Sequence, residues 1–160
     1  MDTTISTRRV TSVALVVGLS HLVLEMSHNF LPVVYPLLIE RMGLTYAQIG
    51  SLALITGIFG ALVQPLFGVW SDRWDARWIV VISIAWIGVT MGIVGFVGFI
   101  GSYWLLAAVV GLAALGSAAF HPAGASLATA ATKGLRGTSM SIFSVSGSLG
   151  AALSPIIVGV

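Results

Sequence analysis

The sequence predicts an all-α fold: a polytopic membrane helix bundle with five transmembrane helices. Three observations lead there. Of 160 residues, 58% are hydrophobic and only 8% charged, whereas a soluble domain carries about 25% charged residues. Mean hydropathy is +1.06. Five apolar runs, at about 10–39, 47–70, 78–100, 103–131 and 138–160, each reach the ~20 residues a helix needs to cross hydrocarbon. There is no cysteine, which excludes disulfides, thiolate metal sites and cysteine nucleophiles. A net charge of +2 and a pI near 9.5 could suggest nucleic acid. The basic residues are few and unclustered, so no nucleic-acid partner is expected.

The first run, 10–39, is longer than the hydrocarbon core, so it should tilt or bend, with Pro32 and Pro36 as places to bend. Arg8 and Arg9 precede it. No small-residue cleavage site follows, and Glu25, His28 and Asn29 interrupt the apolar tract, so the arginine pair reads as a topology anchor and not as an export signal. The second run carries Gly57 and Gly60, and the third Gly88, Gly92, Gly95 and Gly98. Small residues at helical spacing let membrane helices approach closely, although the high glycine content of such helices accounts for each one singly. The fourth run is again long, with Pro122 as its bend. The fifth reaches the last residue, Val160. Five spans fit poorly with carriers built from three-helix repeats, so residues 1–160 are read as the N-terminal bundle of a longer protein whose C-terminal half is absent.

Charge sets the orientation. Arg8, Arg9, Arg73, Arg77, Lys133 and Arg136 fall on one side and only Arg41 on the other. The positive-inside rule then gives a cytoplasmic N-terminus and an integral protein of a plasma membrane, the bacterial inner membrane being the expected location.

The residue that stands out is Glu25. It lies about 22 Å from the nearer end of its apolar run, where insertion scales put the cost of a carboxylate at about 2.5–3.5 kcal/mol. At 100° per residue, His21, Glu25, His28 and Pro32 project within about 60° of one another. His21 and Glu25 are i,i+4 neighbours able to share a proton, so the stripe, with Asn29 beside it, is a candidate proton-coupling cavity. A buried pair that merely locks helix packing is the plainer alternative. His121, between Phe120 and Pro122, lies ~18 Å from the cytoplasmic end of the fourth run, near the depth of Glu25. It could face Glu25 across a cavity or satisfy a carbonyl freed by Pro122. His21, Glu25 and His28 are also possible zinc ligands. The set is thin, however, and no metal or cofactor is expected beyond the proton as coupling ion.

The link between the second and third runs, Gly68 to Arg77, holds Asp72, Arg73, Asp75 and Arg77. Opposite charges at a helix junction can form a latch that breaks and reforms as domains move, and an ordinary hydrated loop has the same composition.

These residues carry a resemblance. Gly68, Asp72, Arg73 and Arg77 resemble the signature between helices two and three of the major facilitator superfamily, with Asp75 in place of a second glycine and Ala76 in place of a basic residue. Gly150, Ser154, Pro155 and Gly159 resemble the glycine-proline motif of helix five in antiporters, Ser154 standing where glycine is common. Leu112 stands near the place of an arginine often found in proton-coupled members. Ser20-His21, Glu25, Leu31-Pro32, Tyr35-Pro36, Gln48-Ile49-Gly50, Gln64-Pro65 and Phe120-His121-Pro122 are similar to the fosmidomycin-resistance-like branch.

The resemblance implies most of the N-terminal six-helix half of a twelve-helix carrier that works by alternating access. It further implies proton-coupled efflux of a small molecule, a phosphonate antibiotic being one candidate, with Asp72 paired to the absent second half and helices one and four lining the cavity. Uptake of organic acids or sugars is a rival within transport, since direction cannot be read from these residues. An intramembrane hydrolase would need a serine paired with a histidine at equal depth, and none is convincing. A structural membrane protein would not need the ionisable stripe.

Overall fold

The structure, a computed structural model, describes residues 3–130 and 135–159. Lys133 and Val160 lie outside the described residues, as do the side chains of Arg8 and Arg9. The chain forms α1 (Thr3–His28), α2 (Leu31–Met42), α3 (Tyr46–Ser71), α4 (Ala76–Ile100), α5 (Tyr103–Ala130) and α6 (Arg136–Val158). Among the described residues, five spans are long and apolar enough to cross a membrane, α1 and α2 together making the first.

The first span is therefore two helices where the sequence suggested one. It breaks at Asn29–Phe30, before the prolines and not at them. Pro32 has no N–H to offer the preceding turn, but it fits the first turn of a new helix, where that N–H would have no partner anyway. Pro122, expected to bend the fourth span, lies within α5, which is assigned as helix without interruption.

Local chemistry accounts for the other ends. Thr45 and Gln48 cap α3 reciprocally: the Gln48 N–H donates to Thr45 Oγ1 at 3.2 Å and the Thr45 N–H to Gln48 Oε1 at 2.8 Å. Gly43 and Gly101 close α2 and α4 at φ 62° and 74°, a left-handed conformation that favours glycine. Asp75 begins α4 by accepting from the Arg77 N–H at 3.0 Å.

α5 is the hub. Its alanines and glycines, among them Ala113, Ala114, Ala118 and Ala123, are buried almost completely, and they let α3 and α4 pack close on either side while α1 packs on α6. The first span thus rests on the fifth and the second on the fourth. Trp86 of α4 caps the α4–α5 seam, donating its indole N–H to the Leu112 carbonyl at 2.7 Å. Tyr103 and Ser51 share a hydroxyl bond at 2.5 Å between α5 and α3.

The outer surface is apolar along its length, as a lipid-facing surface should be, with aromatic residues at both ends. Trp70 and Trp74 stack at one end with exposed Trp78 nearby. At the other end Arg41 sits 4.4 Å above the Phe99 ring, near exposed Trp104. The glycines read as possible packing sites mostly face open space: a Cβ at Gly57, Gly60, Gly88, Gly92 or Gly95 would meet nothing within 4 Å. The close approaches are made at other glycines: Gly18 on α1, Gly116 and Gly124 on α5, and Gly147 and Gly150 on α6.

Candidate functional site

Glu25 lies on α1, one turn below the break, and both its carboxylate oxygens have partners. Oε2 accepts from the Asn29 side-chain amide at 2.8 Å, and the same amide donates to the Glu25 carbonyl at 2.9 Å. Oε1 lies 3.2 Å from His121 Nε2 and 3.7 Å from His21 Nε2. The structure thus brings together Glu25, His21, Asn29 and His121, with α5 supplying the last.

The two histidines are held alike. His121 Nδ1 is 2.7 Å from the Ser117 carbonyl, one turn back on α5. His21 Nδ1 is 2.8 Å from the Phe143 carbonyl of α6. A carbonyl only accepts, so each Nδ1 carries its proton and each Nε2 is left facing Glu25. Ser117 is not the residue whose carbonyl Pro122 frees, which is Ala118 four places back. The bond therefore serves to orient the ring.

This fixes the proton inventory. With Nδ1–H committed to a carbonyl, a neutral His121 presents a lone pair at Nε2, and an ionised Glu25 would face it with another. One proton between Nε2 and Oε1 turns that repulsion into a hydrogen bond, on whichever atom it resides. His21 Nε2, 3.7 Å from the same oxygen, turns a second lone pair toward it.

His28, on the predicted stripe, is half-buried at the last residue of α1; its side chain makes no hydrogen bond among the described residues but lies close enough to Glu25 and His121 to interact with their charges.

α6 makes the site possible, and this was the part hardest to see in the sequence. Its buried residues Ser139, Phe143, Gly147, Gly150 and Ser154 form one stripe along the helix. Phe143 stacks on the His21 ring at 4.0 Å between centroids, with Phe120 at 5.5 Å from the same ring. A Cβ on Gly147 would come within 2.6 Å of His21 Nδ1 and Nε2, and one on Gly150 within 2.9 Å of the Leu22 Cα. Ser154 is fully buried and donates to the Met26 carbonyl at 2.8 Å. α1 ends at His28, so that carbonyl is among the last four, which lack a helical partner. Pro155 continues inside α6, and the N–H of Gly159, the closing residue, bonds to the Pro155 carbonyl at 2.9 Å. Gly147 and Phe143 were not singled out from the sequence; the small-residue spacing of Gly147, Gly150 and Ser154 was the signal that could have found them.

Ser154→Ala is expected to destabilise the folded protein by about 1 kcal/mol, the Met26 carbonyl losing its donor while membrane helices recover part of the cost. Unfolding curves in detergent check this, and an unchanged midpoint would mean the bond carries no weight.

At the junction the pairing is local. Arg77 pairs with Asp75 through two nitrogens, at 2.7 Å from Nη2 to Oδ2 and 3.0 Å from Nε to Oδ1. Those hydrogen bonds hold the Asp75 carboxyl below the usual carboxylate range. Asp72 and Arg73 are exposed and form no ion pair among the described residues. Gly68 lies against Pro122 of α5, where a Cβ would meet the ring at 3.9 Å.

Comparison with known proteins agrees with this architecture. The chain is 33% identical over 144 residues to the fosmidomycin resistance protein of Escherichia coli (strain K12), an alignment covering 90% of this chain and 35% of that protein. It is 29% identical over 147 residues to the uncharacterized MFS-type transporter YfnC of Bacillus subtilis (strain 168), covering 91% of this chain and 35% of that one. The chain thus spans about a third of the length of these curated relatives. No solved structure gives a significant match. The family model of the Major Facilitator Superfamily matches residues 17–160, which take in Glu25, both cradling histidines and the α6 stripe, and the chain belongs to that superfamily.

Proposed function

We propose that the chain is the N-terminal part of a proton-coupled carrier that exports a small molecule by alternating access. The observation that carries this reading is the convergence of two histidine Nε2 atoms, each fixed through Nδ1 to a backbone carbonyl, on one oxygen of Glu25. Ionisable groups inside a membrane bundle are expensive and mark ion or proton pathways, and this set has room for one proton shared between groups on α1 and α5. Family membership sets aside the intramembrane hydrolase considered from the sequence.

In the mechanism, Glu25 with His121 loads a proton when the cavity opens to one side and releases it when the cavity opens to the other. His21 holds the carboxylate from beneath and Asn29 from above. Asp72, Arg73 and Arg77 lie at the cytoplasmic junction, where Asp72 is exposed and available to the second half of the same protein. The basic residues at that end favour a cytoplasmic N-terminus in the bacterial inner membrane. Similarity to a fosmidomycin resistance protein favours outward transport of an anionic drug over uptake.

Full-length protein in proteoliposomes containing a pH-sensitive dye, under an imposed proton gradient, tests this. Adding fosmidomycin on the side from which it is exported should collapse the gradient faster than in empty liposomes. Drug movement that leaves the gradient untouched would overturn proton coupling, and proton movement with the opposite drug direction would overturn export.

A further inference from the structure

We infer that His21, Glu25 and His121 also form a transition-metal site of the zinc type, with three protein ligands and a fourth position open. Sequence spacing offers His28 as a possible third ligand, in a set too thin for a metal to be expected from the sequence. The structure replaces it with His121 and draws one ligand atom from each residue to within 4.8 Å of the others.

Three features point to a metal. The first is spacing. Zinc bonds of ~2.0–2.1 Å in a tetrahedron place neighbouring ligand atoms about 3.3 Å apart. The two Nε2–Oε1 distances, 3.2 and 3.7 Å, bracket that value. The second is orientation. Metal-binding histidines usually donate their other ring N–H to a carbonyl or carboxylate, which fixes the tautomer and aims the lone pair. His21 does so to Phe143 and His121 to Ser117, while Asn29 holds the second carboxylate oxygen. Two neutral imidazoles and a carboxylate make a ligand set that zinc, cobalt and nickel accept. The third is access. Side-chain exposure rises from 9% at His21 to 16% at Glu25 and 32% at His121, so an ion would enter over His121.

The consequence is competition. A metal would take the lone pairs between which the shared proton sits, so a bound ion and a loaded proton exclude each other. Millimolar or lower zinc would then arrest a carrier that uses this cluster.

The test uses full-length protein, with any affinity tag removed, in nanodiscs at constant pH. Titration with Co²⁺ should give the visible ligand-field bands of a tetrahedral nitrogen–oxygen site, displaced by Zn²⁺. His21→Ala, His121→Ala and Glu25→Gln should each weaken binding by at least ~100-fold, and His28→Ala, which removes no ligand, should weaken it by far less. X-ray absorption of the Zn²⁺-loaded wild type needs no variant and should show two imidazoles in the first shell. A shell with one imidazole or none, no tetrahedral Co²⁺ spectrum, or binding lost in His28→Ala and kept in His121→Ala would overturn the site. Binding and coupling fail separately: a carrier that moves protons but binds no Co²⁺ overturns this inference alone, and one that binds Co²⁺ without moving protons overturns only the coupling.

Discussion

Glu25→Gln should reduce substrate-coupled proton movement to the level of empty liposomes while leaving the protein folded. Glutamine has the shape of glutamate, and its carbonyl oxygen can still accept from the Asn29 amide that now bonds Oε2 at 2.8 Å. Its amide nitrogen can donate to the His121 Nε2 lone pair that now lies 3.2 Å from Oε1. Packing and hydrogen bonding survive, so stability should stay within about 1 kcal/mol of wild type. What disappears is exchange: an amide proton is not given up, and the cradle holds a permanent donor in place of a transferable proton. His28→Ala should have a weaker effect, since the His28 side chain makes no hydrogen bond to the carboxylate among the described residues. Proton flux with a pH-sensitive dye, alongside thermal unfolding in detergent, separates loss of coupling from loss of fold. Wild-type flux in Glu25→Gln would remove Glu25 from the proton path.

Gly150→Val should prevent α6 from seating on α1 and cost the folded state more than ~3 kcal/mol. Overpacking a core typically costs 1–3 kcal/mol because side chains can shift rotamers. At Gly150 the obstacle is the Leu22 backbone, which has no rotamer to change, and even the first added carbon would overlap its carbonyl. The helices must separate, and with them go the bond from His21 to the Phe143 carbonyl and the bond from Ser154 to Met26. The readout is the yield of monodisperse protein, together with cross-linking between cysteines placed on α1 and α6, a pair with no native cysteine to compete in this stretch. Gly57→Ala is the matched control. Its Cβ would meet nothing within 4 Å, so it should be neutral or slightly stabilising. Equal yields from both variants would mean that the close α1–α6 contact is not required.

The contrast between those glycines shows what a sequence can and cannot convey. Span number was legible because hydrocarbon thickness imposes a length that apolar runs must meet. The depth of His121 was legible from residue counting, since rise per residue is nearly constant, and the structure sets it beside Glu25. His121 is named from the sequence as facing Glu25, but which of His28 and His121 reaches the carboxylate was not legible. Helical angle places His28 on the stripe as firmly as His21, but angle says nothing about which partner on another helix arrives first at an oxygen. Asn29 was visible as a polar interruption, yet its part in holding Oε2 depends on the helix break at 29–30. That break follows from where Pro32 falls in the new helix, a choice that the proline alone leaves open. Gly147 and Phe143 act only through α6 meeting α1, a pairing between segments 122 residues apart for His21 and Phe143. The Asp75–Arg77 pair was hidden for the opposite reason: it is so local that capping of α4 takes the arginine before any distant acid can.

Because the first span rests on the fifth and the second on the fourth, the chain must store an unfinished site while it is being made. Ribosomes add roughly 5–20 residues per second, so α1 would wait about 5–25 s before α5 and α6 emerge to supply His121 and the Phe143 carbonyl. During that interval Glu25 has only its near neighbours in sequence, His21 on the same helix and Asn29 just past its end, each four residues away. Those two short-range partners shield the carboxylate during insertion as well as framing it afterwards.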